Sequence, residues 1–178
     1  MVQRTGDLDL CRMPAIVMRV SRAEELTCLK AATQFVEEGW ENFNGTQRFS
    51  QSLTFYERVG ELAETVASEW IVAKYLGLDF DPFKVKMKHT ADVGTRIEVK
   101  WTRHVAGQLI VHEYDRVSDI AVLVTGQTPN YHIRGWIPVA MAQKARYRHT
   151  NQPNWWVSQI NLQPIENLGR SNYAHSKI

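Results

Sequence analysis

The chain reads as an α/β or α+β layered domain built on a mixed β-sheet. Three features predict this. Two amphipathic helical stretches fill the first half, the periodicity changes to two after residue 83, and one run, IAVLVT at 120–125, is continuously apolar. Such a run suits a central strand buried on both faces. The 178 residues suffice for one domain with a real core and are too few for two comfortable ones. The expected organisation is a single domain over 1–178. Its core spans about 53–162, and residues 1–52 form an N-terminal helical extension.

The elements follow in order. A strand is expected at residues 15–20. Ser21 precedes Arg22-Ala23-Glu24, a capping-box pattern for a helix that runs to about Glu38 and stops at Gly39. The stretch NFNGTQRFSQS at 42–52 is polar and turn-forming, hence a loop. Residues 53–76 predict a longer helix with Gly77 as its stop. Phe55, Val59, Leu62, Val66 and Ala73 mark its buried side, and Glu57, Glu61 and Glu64 mark another. Asp81-Pro82 is a break. Beyond it Val85 and Met87 alternate with Lys84, Lys86 and Lys88, and Ile97, Val99 and Trp101 alternate with Arg96, Glu98 and Lys100. Strands follow at 120–125 and 131–137. Pro138 opens a short helix at 139–145, and residues 155–162 form a last strand.

Several classes are excluded or disfavoured. No run of about 18 apolar residues offers a membrane span. The short apolar stretch at 14–20 contains Arg19 and does not resemble a signal peptide. Two cysteines, Cys11 and Cys28, are too few for a disulfide framework and lack a zinc spacing, which points to a reducing cytoplasm. A net charge of +2 means that any phosphate-binding surface must be built by local clustering. No phosphate-cradling glycine loop, nucleophile elbow or Cys–His signature is present.

The chemistry concentrates in TADVGTRIEVKWTR at 90–103. Glu98 and Lys100 project from one face of a strand, opposite Ile97, Val99 and Trp101. Asp92 lies across a glycine turn. If Val93, Gly94 and Thr95 are all loop residues, Asp92 pairs with Arg96 and shares a face with Glu98; an even-numbered loop puts it on the wrong face unless a bulge corrects it. Two carboxylates about 4 Å apart repel by roughly 4 kcal/mol at an effective dielectric near 20. Either one takes up a proton, they stay apart, or a cation sits between them; a hard divalent cation there also polarises phosphate and helps to generate hydroxide. A neighbouring lysine holds the attacking water or neutralises charge as it develops.

The segment Asp92-Val-Gly-Thr-Arg-Ile-Glu98-Val-Lys100 resembles the D…(D/E)-x-K signature of the PD-(D/E)XK nuclease superfamily. Upstream, Val59-Gly60-Glu61-Leu62-Ala63-Glu64 is similar to the G-x-x-x-E pattern on that family's preceding helix. The later strands, the second ending in Gly135-Trp136-Ile137-Pro138, look like those of small phage or bacterial nucleases of the superfamily. The resemblance covers about residues 55–145. Ala91 stands where the family often has proline, and the spacing from Asp to Glu is short. The resemblance implies a restriction-endonuclease-like three-layer fold with a central mixed sheet flanked by helices. It implies a Mg²⁺-dependent deoxyribonuclease, with Mn²⁺ as a substitute, in a bacterial cell or phage-infected host. Asp92 and Glu98 become metal ligands together with the main chain of Val99, Lys100 the catalytic lysine and Glu64 the helix carboxylate, with Glu61 as second choice. Double-strand cutting would favour a homo-oligomer.

DNA is the expected partner. Arg96 and Arg103 flank the segment, and Lys144, Arg146 and Arg148 form a second basic run interleaved with Tyr147 and His149. Of Trp155 and Trp156, one is expected to point into the core. Two other readings remain open: a non-catalytic nucleic-acid-binding or assembly protein on the same fold, and an unrelated α/β protein with a solvated Glu–Lys pair at its surface.

Overall fold

The computed structural model describes residues 15–39, 53–84 and 90–171. β1 (Ile16–Arg19) leads into α1 (Arg22–Glu38), whose start is the expected capping box. The Glu24 N–H donates to Ser21 Oγ at 3.3 Å, and the Ser21 N–H donates to Glu24 Oε2 at 2.6 Å. α2 (Phe55–Leu76) begins the same way, with Thr54 and Glu57 as the reciprocal pair. Two orphan amides are thus satisfied at each helix start. Gly77 ends α2 in the left-handed conformation at φ 69°, where a side chain would be strained.

The strands are β2 (Ile97–Thr102), β3 (Leu109–His112), β4 (Ile120–Gln127), β5 (Asn130–Pro138) and β6 (Asn154–Val157). Four of them form a mixed sheet in the order β1-β5-β4-β2. β4 runs parallel to β2 and antiparallel to β5, and β5 runs antiparallel to β1. β4 is buried from Ile120 to Gly126, as expected for a strand covered on both faces.

Alternation along the strands sorts the core into two halves. Ile97, Val99, Val122, Val124 and Ile133 pack with Val66, Ile71 and Cys28 of the two long helices. On the other face, Ala121, Leu123 and Ile137 pack with Leu109, Val111 and Val157 of a two-stranded sheet, β3–β6, and with α3 (Val139–Ala142). The molecule is therefore a mixed α+β fold with helices flanking a mixed sheet, and its second face is covered mainly by β-structure. β1 is one of the two edge strands of the main sheet, and α1 contributes Cys28 and Ala31 to the same core.

Three local expectations are corrected. The helix after Pro138 stops at Ala142, and a separate 3-10 turn covers Ala145–Tyr147. The last strand is Asn154–Val157 and ends before a second 3-10 turn, Gln159–Asn161. β3 was not anticipated, because four residues carry too short a period to stand out from the loops beside them. The lysine-alternating segment at 84–88 lies outside the described residues after Lys84, which is exposed. No helix among the described residues is long and apolar enough to cross a membrane.

Candidate active site

The site is built on β2, an edge strand of the main sheet. Val93 and Ile97 form an isolated antiparallel bridge, closed by Val93 N–H to Ile97 O at 3.1 Å and Ile97 N–H to Val93 O at 3.2 Å. The loop is thus Gly94-Thr95-Arg96, with Gly94 at φ 57°. This is one residue later than expected but still three residues long. The Asp92 N–H also donates to Ile97 O, at 2.9 Å, so Asp92 and Val93 both lie opposite Ile97 in a bulge, and Asp92 comes beside Glu98 through its side chain rather than through the parity of the loop.

The Asp92 carboxylate is oriented by the strand itself: the Val99 N–H donates to Asp92 Oδ2 at 2.8 Å. In an extended strand the N–H and C=O of one residue point the same way. The Val99 carbonyl therefore faces the same outer edge as the Asp92 side chain. Glu98 and Lys100 project together as the period of two requires, and Lys100 Nζ donates to Glu98 Oε1 at 2.9 Å.

Sequence reasoning missed one member. Asp115, in the turn after β3, lies with its carboxylate oxygens 3.0 Å from Lys100 Nζ. Its side chain is only 2% exposed, against 17% for Lys100 and 21% for Glu98. Oδ2 also accepts the His112 N–H at 2.8 Å, and Gln143 Nε2 donates to the His112 carbonyl at 3.1 Å, bracing the turn. The only sequence signal was an acidic residue three positions after the short LIVH run. Without β3 that position reads as a solvated loop.

Burial and the nearby Asp92 charge push the Glu98 carboxyl above its ordinary range, and Lys100 offsets this only in part. Burial alone would lower the Lys100 ammonium. The charges of Glu98 and Asp115 overcome it and hold Lys100 above the usual lysine range.

The helix carboxylates go elsewhere. Glu64 accepts the Tyr131 hydroxyl at 2.6 Å and the Thr128 N–H at 3.1 Å. Tyr131 belongs to the helix side of the sheet and pairs with Gly126, whereas Glu98 pairs with Ala121. Five residues of β4, roughly 16 Å, separate those levels. Glu64 is thus remote from Asp92 and Glu98, and its role is to tie α2 to the β4–β5 turn, where Glu25 also accepts a hydrogen bond from Thr128 Oγ1. Glu61 accepts from Arg103 Nη2 at 2.6 Å. Among the described residues, no three His, Cys, Asp or Glu side chains stand together as a metal-holding group.

The flanking cations are placed as follows. Arg96 donates through Nε at 2.9 Å and through Nη2 to the Ser118 carbonyl, pinning the glycine turn to the loop before β4. Arg103 holds Glu61. Lys144, Arg146 and Arg148 are all exposed. Arg146 lies over the Tyr147 ring at 4.5 Å, and Arg148 lies over Trp155 at 4.5 Å. Tyr147 itself is buried and offers no stacking surface. Trp155 packs against the core beneath β3–β6.

Compared with protein-family models, with curated proteins and with solved structures, the chain matches none.

Proposed function

We propose that this chain is a divalent-metal-dependent nuclease that hydrolyses DNA phosphodiester bonds, built on a restriction-endonuclease-like fold. The observation that carries the reading is the Asp92 carboxylate held on the Val99 N–H, beside Glu98 and the Lys100 ammonium that Glu98 accepts.

The donor set fits a hard cation such as Mg²⁺ or Mn²⁺. Asp92 and Glu98 supply two carboxylates, and the Val99 carbonyl faces the same strand edge as Asp92. A cation held there would polarise a phosphate oxygen and lower the pKa of a coordinated water. The protein's own groups do the rest. The Val99 N–H keeps the Asp92 carboxylate in one orientation. Lys100 presents a positive charge beside the two carboxylates, suited to a phosphate that gains charge in the transition state. Asp115 fixes where that ammonium sits. The exposed cations Lys144, Arg146 and Arg148 are suited to phosphate contacts along the DNA, and such contacts weaken with salt.

The test is cleavage of labelled single- and double-stranded DNA, linear and circular, with Mg²⁺, Mn²⁺ or EDTA, beside Asp92→Asn. The asparagine oxygen still accepts the Val99 N–H, so the fold is retained. Metal-dependent cutting that falls at least about a hundredfold in the variant is expected. Full cutting by Asp92→Asn would sink the assignment.

One observation favours a second reading, a non-catalytic DNA-binding protein on the same fold. The Lys100 ammonium is already drawn between two carboxylates. On that reading DNA binds without turnover in either metal, and Mn²⁺ gives no thermal shift that Glu98→Gln removes.

A further inference from the structure

The β3–β6 sheet turns Ile110, His112, Asn154 and Trp156 away from the core; Asn154 is buried and the other three are partly exposed. Ile110 pairs with Trp156, and His112 pairs with Asn154. These residues alternate with Leu109, Val111 and Val157, which face the core. The bridge between Arg148 and Trp155 adds a third edge segment, so that His149 falls on the outer face beside Trp156. The two rings lie 4.6 Å apart with 32° between their planes. At the other end Tyr114, 49% exposed, stacks on His112 at 5.0 Å with 3° between planes. One stacked and one tilted ring pair therefore lie along this face.

The electrostatics select the partner. Residues 120–165 contain no Asp or Glu, while Lys144, Arg146 and Arg148 line the edge segment. Glu113 answers Arg148 at 3.3 Å from an exposed position, where the pair is worth little. Rings beside exposed cations match a chain of alternating bases and phosphates. In a duplex the base faces are stacked on each other and cannot meet a protein ring, so the fit is to unpaired bases. The face also leads toward the candidate active site: Tyr114 immediately precedes Asp115, and the His112 N–H holds the carboxylate that grips Lys100.

We propose that this face binds an unpaired DNA strand, with bases stacked on the His149–Trp156 and His112–Tyr114 pairs and phosphates along Lys144, Arg146 and Arg148. The inference rests on the reading of the chain as a DNA-acting protein, and it specifies the strand form that is recognised.

The experiment is fluorescence anisotropy of a labelled oligothymidylate with the full chain in EDTA, so that binding is read without cutting. Tyr114→Ala and Trp156→Ala are each expected to weaken binding about tenfold, and Trp156→Phe to restore most of it. A duplex of equal length is expected to bind more weakly. Since Tyr114 is half exposed, its alanine variant should keep the wild-type Tm even where Trp156→Ala does not. Unchanged affinity in Tyr114→Ala and Trp156→Ala alike, duplex bound as tightly as single strand, or no binding of the oligonucleotide overturns the proposal. Metal-dependent cutting without any effect of Tyr114→Ala on binding removes this surface and keeps the nuclease. Tyr114-dependent binding with no cutting in either metal removes the nuclease and keeps the surface.

Discussion

At the scale of single residues, Asp115 changes what Lys100 means. A Glu–Lys pair alone on an edge strand would be a solvated ion pair of small worth. Asp115 turns it into a nearly buried three-residue network, and removing one member of such a network leaves a charge in low dielectric. Lys100→Met should therefore lower stability by about 3–5 kcal/mol, measured by urea denaturation. Lys100→Met combined with Asp115→Asn should recover part of that loss, because the stranded carboxylate is gone; a double mutant no more stable than the single one would refute the coupling. The assignment of Glu64 is tested the same way. Glu64→Gln should leave DNA cutting unchanged while lowering Tm, since its carboxylate joins Tyr131 and Thr128 and not the site.

Cys28 is a further residue-scale case. It is buried among the helices, and burial, followed by the charges of Glu24, Glu64 and Glu69, pushes its thiol up to about 12. A proton held more tightly in the folded state stabilises fully below the unfolded thiol's pKa and is lost as pH rises toward the folded value. Tm should accordingly fall as pH is raised from about 9 toward 12, and less steeply in Cys28→Ala. Native protein should also resist alkylation at Cys28 near neutral pH, as read by peptide mass spectrometry, and lose that resistance in denaturant.

At the scale of elements, helix ends and one irregular strand position carry the argument. Thr54 and Glu57 close α2 reciprocally, and Thr54→Ala should cost about 1 kcal/mol by denaturant titration. β5 takes a different risk. Its pairing with β4 shifts register at Leu123/Val124, and Gly135 there adopts φ 144°. A Cβ at Gly135 would sit 2.5 Å from the Gln163 carbonyl oxygen, a backbone atom that Trp136 also binds. Gly135→Ala should lower stability by about 2–3 kcal/mol, through strained backbone and the forced displacement of residues 162–163. The same irregularity draws the C-terminal segment against the sheet, with Ile165 and Leu168 in the helix-side core.

At the scale of the whole molecule, three layers separate two kinds of chemistry. The helix layer receives Glu61 and Glu64 and spends them on Arg103, Thr128 and Tyr131. The opposite layer, β3–β6, meets the face that carries Glu98 and Lys100 and supplies Asp115. A carboxylate on α2 is thus on the wrong side of the sheet to join the site. If the nuclease reading holds, its acidic groups come from β2 and the two loops beside it, and substrate approaches over the β3–β6 layer.

What the amino-acid order determined by itself was whatever local geometry enforces. The capping box at Ser21, the stop at Gly77, the buried run of β4, and the shared face of Glu98 and Lys100 all follow from 3.6- and 2-residue periods and from hydrogen bonds spanning a few residues. The glycine turn was legible to within one residue, but the position of Asp92 was not fixed by loop parity, since the Asp92 and Val93 N–H groups both donate to Ile97 O. The tertiary structure alone decided the rest. β3 and β6 find each other across 41 intervening residues, and neither is long enough to declare itself. Asp115 meets Lys100 only because that pairing folds the turn over β2. Glu64 has the same sequence spacing whichever face of the sheet its helix covers, and the sign of that choice is set by packing, to which no local period is sensitive.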